Sequence, residues 1–513
     1  MENKLYGLLL CLLFSGALLA QDQRSADNYF DEQNFEAALD EYLMLLEDEP
    51  DNQEYNYRVA ICYLNTNIDR AKAVDFLEEY TNQDKFDYNA LYLLGRAYHF
   101  AYKFDKAIEK YQEFLEIGKG TAFNIENAPK QIEYCENAKE LIKFPVDVTF
   151  ENLGTNINSL FPDYYPFVPI DESFIFFNTR RDDGSELLPN GAFHSNIYHA
   201  KVKDGKYSEA KPITDKINSP DGDEEIVGMS ADGTKLLLYF DNKLAYGDIY
   251  SAEFVEGEFT EPVKIGKTLN SRHTEIAASI TNSGDAIYFA SDRPGGYGGV
   301  DIYVTRKLPN GEWGPAQNLG PSINTAEDED FPNISPDGKT LYFSSKGHTS
   351  MGGYDIFKAT WNSEKRRFSG IQNLGFPINT PEDNMNFRVS ENGRYGYISA
   401  VRAKGHGDLD IYRVTFNDIE TEYTVITGHI TSSDTTMTVD DAFLSITDLD
   451  TDMIYGDYYP NMNTMRYVMI LPPGRYNLFV EADGFEEIDE DIEIFGKGSF
   501  KYEIKKDIVL EPY

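Results

Sequence analysis

Cysteine is scarce in these 513 residues: there are three, and one of them, Cys11, sits inside the apolar opening run. The other two, Cys62 and Cys135, are too few for a disulfide scaffold. They fall on helical segments two repeats apart, beyond the ~7 Å between Cα atoms that a disulfide spans, and read as small core residues. Basic charge is also short, with 46 Lys and Arg against 87 Asp and Glu and a formal charge of −41. That balance excludes nucleic acid, whose binding depends on cations that neutralise phosphates. Beyond residue 20 no stretch approaches the ~20 apolar residues of a membrane-spanning helix. There is no H-E-x-x-H, no G-x-S-x-G and no complete phosphate loop. Gly266, Lys267 and Thr268, and again Gly338, Lys339 and Thr340, imitate the end of one, but Glu261 and Asn333 stand where its first glycine belongs. Of the seven histidines only His194 and His199 have a spacing that two metal ligands use, and they flank a strand. No catalytic residue, metal or cofactor is expected.

What is present begins with an export signature. Glu2 and Lys4 are followed by an apolar run from Leu5 to Leu19 and by a small residue, Ala20, so residues 1–20 read as a signal peptide. Leu9 and Leu10 are too bulky for a lipid-attachment site at Cys11. The mature chain is expected outside the cytoplasm. Its length exceeds the roughly 250–300 residues that one hydrophobic core serves, so several domains follow.

The first is helical and repeated. Ala26 and Tyr29 precede Phe35, Ala38, Tyr42 and Pro50; the order returns as Ala60, Tyr63, Ile68 and Ala73, and again as Gly95, Tyr98, Phe104, Ala107, Tyr111 and Phe114. Small residues let paired helices approach, and the aromatics fill the gaps between pairs. Residues 126–143 carry Ile132, Cys135, Ala138 and Leu141 on one face and read as the closing helix that a repeat array needs. This pattern resembles the tetratricopeptide repeat, which assigns residues 21–143 to such an array, with a generic helical bundle as the alternative. The resemblance implies a concave face toward which Asp27, Tyr57, Tyr92, Arg96 and His99 point, a candidate groove for a peptide or protein.

After Pro145 the chain becomes alternating, aromatic and turn-rich. Three motifs recur in fixed order. An NLGxxIN-like element ends at Asn158, Asn218, Asn270, Asn324 and Asn379. A hairpin follows, clearest from Ser335 to Ser345, in which an Asp-Gly or Asn-Gly pair is expected to supply positive φ. A D-I-Y element then appears at Asn196, Asp248, Asp301, Asp355 and Asp410. The first NLGxxIN lacks strands before it and the last D-I-Y lacks an NLGxxIN after it, so joining the two completes a fifth unit and closes a ring. Residues 144–420 are thereby read as a five-bladed β-propeller, with six blades as the alternative. They resemble the WD-type repeats of the Tol-system periplasmic propeller. The acidic connections Asp221 to Glu225 and Glu327 to Asp330 read as solvated loops, with calcium as the other possibility. The D-I-Y aspartates are expected to accept backbone hydrogen bonds.

Residues 421–513 hold short alternating segments, and Leu471 to Phe485 places Pro472, Pro473 and Gly474 before a strand and Gly484 after it. This resembles the transthyretin-like sandwich of carboxypeptidase regulatory domains, with an immunoglobulin-type sandwich as the alternative. The whole order, a multidomain chain of helical repeats, propeller and sandwich, resembles periplasmic OmpA-family proteins associated with type IX secretion and gliding in Bacteroidota. Here it lacks their OmpA-like C-terminal domain. The resemblance implies a non-catalytic periplasmic adaptor for envelope proteins, placed beside an outer-membrane β-barrel. Two other functions remain open: a propeller glycosidase or peptidase, which needs paired carboxylates at the channel, and a Tol-like propeller that meets a peptidoglycan-associated lipoprotein.

Overall fold

The computed structural model describes residues 23–513 apart from 170–171, 204, 220–221, 231, 243–244, 256, 336–337, 390–394, 418–422, 450, 473 and 495–502. The export segment and Asp221 lie outside the described residues. Residues 23–31 form α1, followed by α2 (Phe35–Asp48), α3 (Gln53–Leu64), α4 (Ala73–Thr81), α5 (Asn89–Phe100), α6 (Phe104–Ile117) and α7 (Ala122–Leu141). Side-chain caps start α2, α3 and α7: Asn34, Asn52 and Thr121 each accept a backbone N–H of the first turn. Thr121 starts α7 four residues before the periodicity at 126, because a cap specifies a helix start that apolar spacing does not. The small residues Ala26, Ala60 and Gly95 are buried at helix contacts. A Cβ on Gly95 would lie 2.6 Å from the Tyr111 ring, which is why the third copy uses glycine there. None of the described helices is long and apolar enough to cross a membrane.

Five antiparallel sheets follow between 148 and 416. Sheets 1 to 4 open with Asp163–Phe167, Asp223–Met229, Glu275–Ile280 and Glu329–Ile334, and each runs outward strand by strand. Sheet 5 orders Arg388–Val389, Tyr395–Ala400 and Asp410–Phe416, and its outer strand is Val148–Asn152 from the opposite end of the segment, paired from Val148↔Phe416 to Asn152↔Tyr412. A separate apolar cluster fills each gap. Phe176 and Ile197 pack on Ile226 and Leu236 between sheets 1 and 2, and Leu237 and Ile249 on Ile287 and Phe289 between sheets 2 and 3. Ile302 meets Phe343 between sheets 3 and 4, Ile356 meets Ile398 between sheets 4 and 5, and Phe177 meets Ile411 between sheets 1 and 5. The sheets therefore make a closed ring whose first strands lie innermost.

The hairpins differ from expectation in one respect. Gly233 and Gly284 have φ of 74° and 68°, but the residues before them do not share that conformation; Gly233 N–H donates to Ser230 O and Gly284 N–H to Thr281 O, both at 2.9 Å. Ser230 N–H donates to Lys235 O and Thr281 N–H to Ala286 O, so four residues lie in each loop and the left-handed glycine is the third of them, a four-residue hairpin rather than the two-residue one. After residue 423, strands Arg466–Leu471, Thr424–Ser432, Glu503–Lys505 and Ile508–Leu510 form one sheet. Met453–Tyr458, Ala442–Asp448, Gly474–Ala482 and Ile488–Ile494 form a second, and Leu444, Leu478, Met469 and Ile426 join the two in one core.

Candidate functional site

The repeated motifs do structural work. The last Asn of each NLGxxIN element folds its carboxamide onto the isoleucine of a D-I-Y element, accepting its N–H and donating to its C=O. The pairs are Asn158–Ile411, Asn218–Ile197, Asn270–Ile249, Asn324–Ile302 and Asn379–Ile356, all at 2.8–3.1 Å. The amide thus replaces a missing strand. Three of the D-I-Y aspartates accept backbone N–H groups of the preceding glycine-rich loop: Asp301 from Tyr297 and Gly298, Asp355 from Met351, and Asp410 from His406. Asp248 departs from this and pairs with Lys264.

The acidic connections are corrected by the structure. Glu224 and Glu329 are fully buried rather than solvated. Glu329 accepts Thr325 N–H and hydroxyls of Thr325 and Ser345 at 2.6–2.7 Å, and Glu224 is held the same way by Ser219. Asp163 and Glu275 repeat this and add Arg181 and Arg293. Their neighbours are matched too: Asp223 by Arg180, Asp328 by Lys346. Serine, threonine and arginine donors offset part of the desolvation that burial imposes on these groups; at Glu329 burial still prevails and pushes the carboxyl up to about 7.

One mouth of the ring is covered by the helices. Tyr134 of α7 donates to Lys346 O at 2.6 Å and Asn137 to Ser350 O at 2.9 Å; His99 of α5 bonds Met351 O at 2.8 Å. Arg70 pairs with Glu382, and Asn67 donates to Asp408. The Met351 side chain is fully buried within the apolar core of the helices. The loop 346–353, which carries Gly352 and Gly353, is thus a knob from the ring seated in the helical layer. Beside this dock lie two cavities of about 870 and 860 Å³ that share Arg70, Phe100, Pro381 and Asp383.

The structure brings together three of the five groove residues. Tyr92, Arg96 and His99 line the larger cavity. His99 is 3 % exposed, and burial pulls its imidazole down to about 4, so it stays neutral and is committed to Met351. The Arg96 guanidinium lies 5.7 Å from the Phe100 ring, whose other cation is Arg70 at 5.1 Å. Asp27 and Tyr57 sit apart from both cavities: Asp27 accepts the Tyr42 hydroxyl at 2.5 Å, and Tyr57 stacks on Tyr80 at 4.5 Å. Arg70, Phe100, Tyr134 and Met351 went unmarked in the sequence, and only the glycine-rich loop before Asp355 hinted at the last.

The second cavity reaches the ring's innermost strands at Tyr164, Tyr165 and Glu225, with Arg180, just past the end of the strand Phe174–Thr179, beside them. Tyr164 donates to Glu225 at 2.7 Å, and burial raises the Glu225 carboxyl. Asp330 is pushed up to about 7, again by burial. Glu225, Asp330 and Asp383 all act on the buried Tyr165 phenol, whose ring packs 4.6 Å from Phe331. The mouth therefore offers aromatic faces, a guanidinium and two carboxyls, Glu225 and Asp330, that burial raises above their ordinary range.

No known family's sequence pattern matches the chain, and no curated protein does. Among solved structures it is similar to TolB from Acinetobacter baumannii, with 15 % identity over 60 % of this chain and 70 % of that one and a TM-score of 0.33. The RRP9 WD40 repeats (11 %, 52 % and 99 %, TM-score 0.28) and an alpha-L-arabinofuranosidase from Lactobacillus brevis (14 %, 51 % and 94 %, TM-score 0.30) are further similar structures. The β-rich ring of this chain stands on its own sheet order and on the apolar clusters between its sheets.

Proposed function

We propose that this chain is a non-catalytic binding scaffold, exported to the periplasm and associated with outer-membrane proteins, in which a tetratricopeptide array is docked on a five-bladed β-propeller followed by a transthyretin-like sandwich. The observation that carries the reading is the composite cleft. Its walls come from α5, α7 and the ring loops together, and the side chains that line it are aromatic, amide and charged groups suited to a polypeptide. The motif carboxylates Asp163, Glu224, Glu275 and Glu329 are engaged in internal hydrogen bonds, which fits a framework. Affinity purification of the tagged chain from envelope fractions, followed by mass spectrometry, tests it. Partners held by the wild type should be lost with Arg96→Glu and Phe100→Ala; identical recovery from both variants overturns the cleft as the binding site.

A second reading has a specific observation behind it. Glu225 and Asp330 hold protons above the ordinary carboxyl range beside Tyr165 and Asp383, the kind of environment a hydrolase uses for its acid. Turnover of glycans or peptides that Glu225→Gln abolishes would replace the scaffold reading.

A further inference from the structure

Arg388 stands on the innermost strand of sheet 5, and its side chain reaches the innermost strands of three other sheets. One terminal nitrogen donates to Asn333 Oδ1 of sheet 4 at 2.6 Å, and the other reaches Val227 O of sheet 2 at 3.4 Å. The guanidinium carbon lies 4.1 Å from the Phe167 ring of sheet 1, and Nε donates to Asn386 Oδ1 at 3.0 Å. A side chain that touches four of five sheets lies on the axis of the ring. It is 9 % exposed, and Asn386 is 1 % exposed.

Every partner of this cation is neutral. Buried charges are ordinarily paired, because leaving water costs several kcal/mol per ion. No carboxylate lies within ion-pair distance among the described residues, and burial alone acts on the guanidinium, lowering it to about 9, still charged at neutral pH. Donors are in surplus as well. A guanidinium has five N–H groups, of which three have acceptors here. Because Asn386 gives its oxygen to Arg388, its amide nitrogen faces the same region, and that buried nitrogen has no partner at all. The place lacks an acceptor and a negative charge together.

We propose that the axis of the ring binds one small monovalent anion, of the halide class, between the Arg388 guanidinium and the Asn386 amide. The ion neutralises the one charge shared by four sheets and accepts the N–H groups left over. A water molecule supplies the acceptor but not the charge, so the two are separable.

The test follows the melting of the ring alone, read from the fluorescence of Trp313 and Trp361, the two tryptophans of the chain, while sodium bromide or chloride replaces sodium gluconate at constant ionic strength. The wild type should gain a saturable rise of about 3 °C or more, and Arg388→Gln should gain none. Should Arg388→Gln fail to fold, Asn386→Asp settles the matter. Asn386 has φ 54°, a conformation that Asp also tolerates, and the substitution installs a carboxylate where the anion sits. It should raise melting in gluconate and abolish the halide response. Crystals grown in bromide should show an anomalous peak beside Arg388. A wild type indifferent to halide, an Asn386→Asp chain that still responds, or water alone at the site would each overturn the proposal.

Discussion

Asn158→Ala removes the clamp that joins the two ends of the ring, and its cost can be worked out bond by bond. Asn158 is 3 % exposed. Its amide makes three bonds: it accepts Ile411 N–H at 2.8 Å and donates to Ile411 O at 3.1 Å and Asn152 Oδ1 at 2.9 Å. Each is worth about 1 kcal/mol net, and stranding the buried Ile411 groups adds about 1 kcal/mol more, for about 3–4 kcal/mol in all. Because the chain has several parts, one melting temperature does not report a single transition. Hydrogen exchange at the seam does. Amides of Val148–Asn152, paired with Tyr412–Phe416, should exchange about 10²- to 10³-fold faster. Asn324→Ala removes the same three bonds from sheet 3 and should leave the seam protected relative to Asn158→Ala. Less than threefold change at the seam in Asn158→Ala, or equal change there in both variants, would refute the reasoning.

Met351→Ala empties a buried position in the helical core; a loss of about 2–5 kcal/mol should loosen the dock, read as faster exchange in α5 and α7 with the innermost ring strands unchanged. Burial holds Asp355 up to about 8, and Glu329 and Asp330 up to about 7. The native ring therefore keeps protons that the unfolded chain releases. Their stabilising contribution is complete below about pH 4 and is lost as pH rises through these values, so urea midpoints should fall from pH 5.5 to 8.5. Asp355→Asn, which keeps an acceptor for Met351 N–H and Asn373, should flatten that profile; Asp355→Ala should destabilise at every pH. In the C-terminal part, a Cβ on Gly428 would lie 1.8 Å from Lys506 O, so Gly428→Ala should cost about 3 kcal/mol and expose residues 503–510 to exchange while the ring stays protected.

The ring was legible because its signals are local and repeated. An Asn at the end of NLGxxIN and an isoleucine about twenty residues before it recur often enough that the one pair out of order, Asn158 and Ile411, implied closure. The helical small residues were legible for a similar reason: Gly95 and Tyr111 must touch wherever two such helices pair. Burial of Glu224 and Glu329 was not, since an acidic run reads the same whether water or a Ser and Thr hydroxyl satisfies it. Nor was the hairpin type, because a glycine of positive φ serves both two- and four-residue loops, and the longer one is closed by a hydroxyl three positions before the glycine, Ser230 or Thr281, which accepts the N–H of Lys235 or Ala286.

Sequence alone determined which residues pair within a helix or a repeat, because those contacts depend on short spacings and on residue size. Tertiary structure decided the rest. His99 meets Met351 across 252 positions, and Arg388 meets Val227 across 161. Such contacts arise only when the sheets have closed and the helices have settled on them, and no periodicity in the chain encodes where one finished surface comes to rest on another.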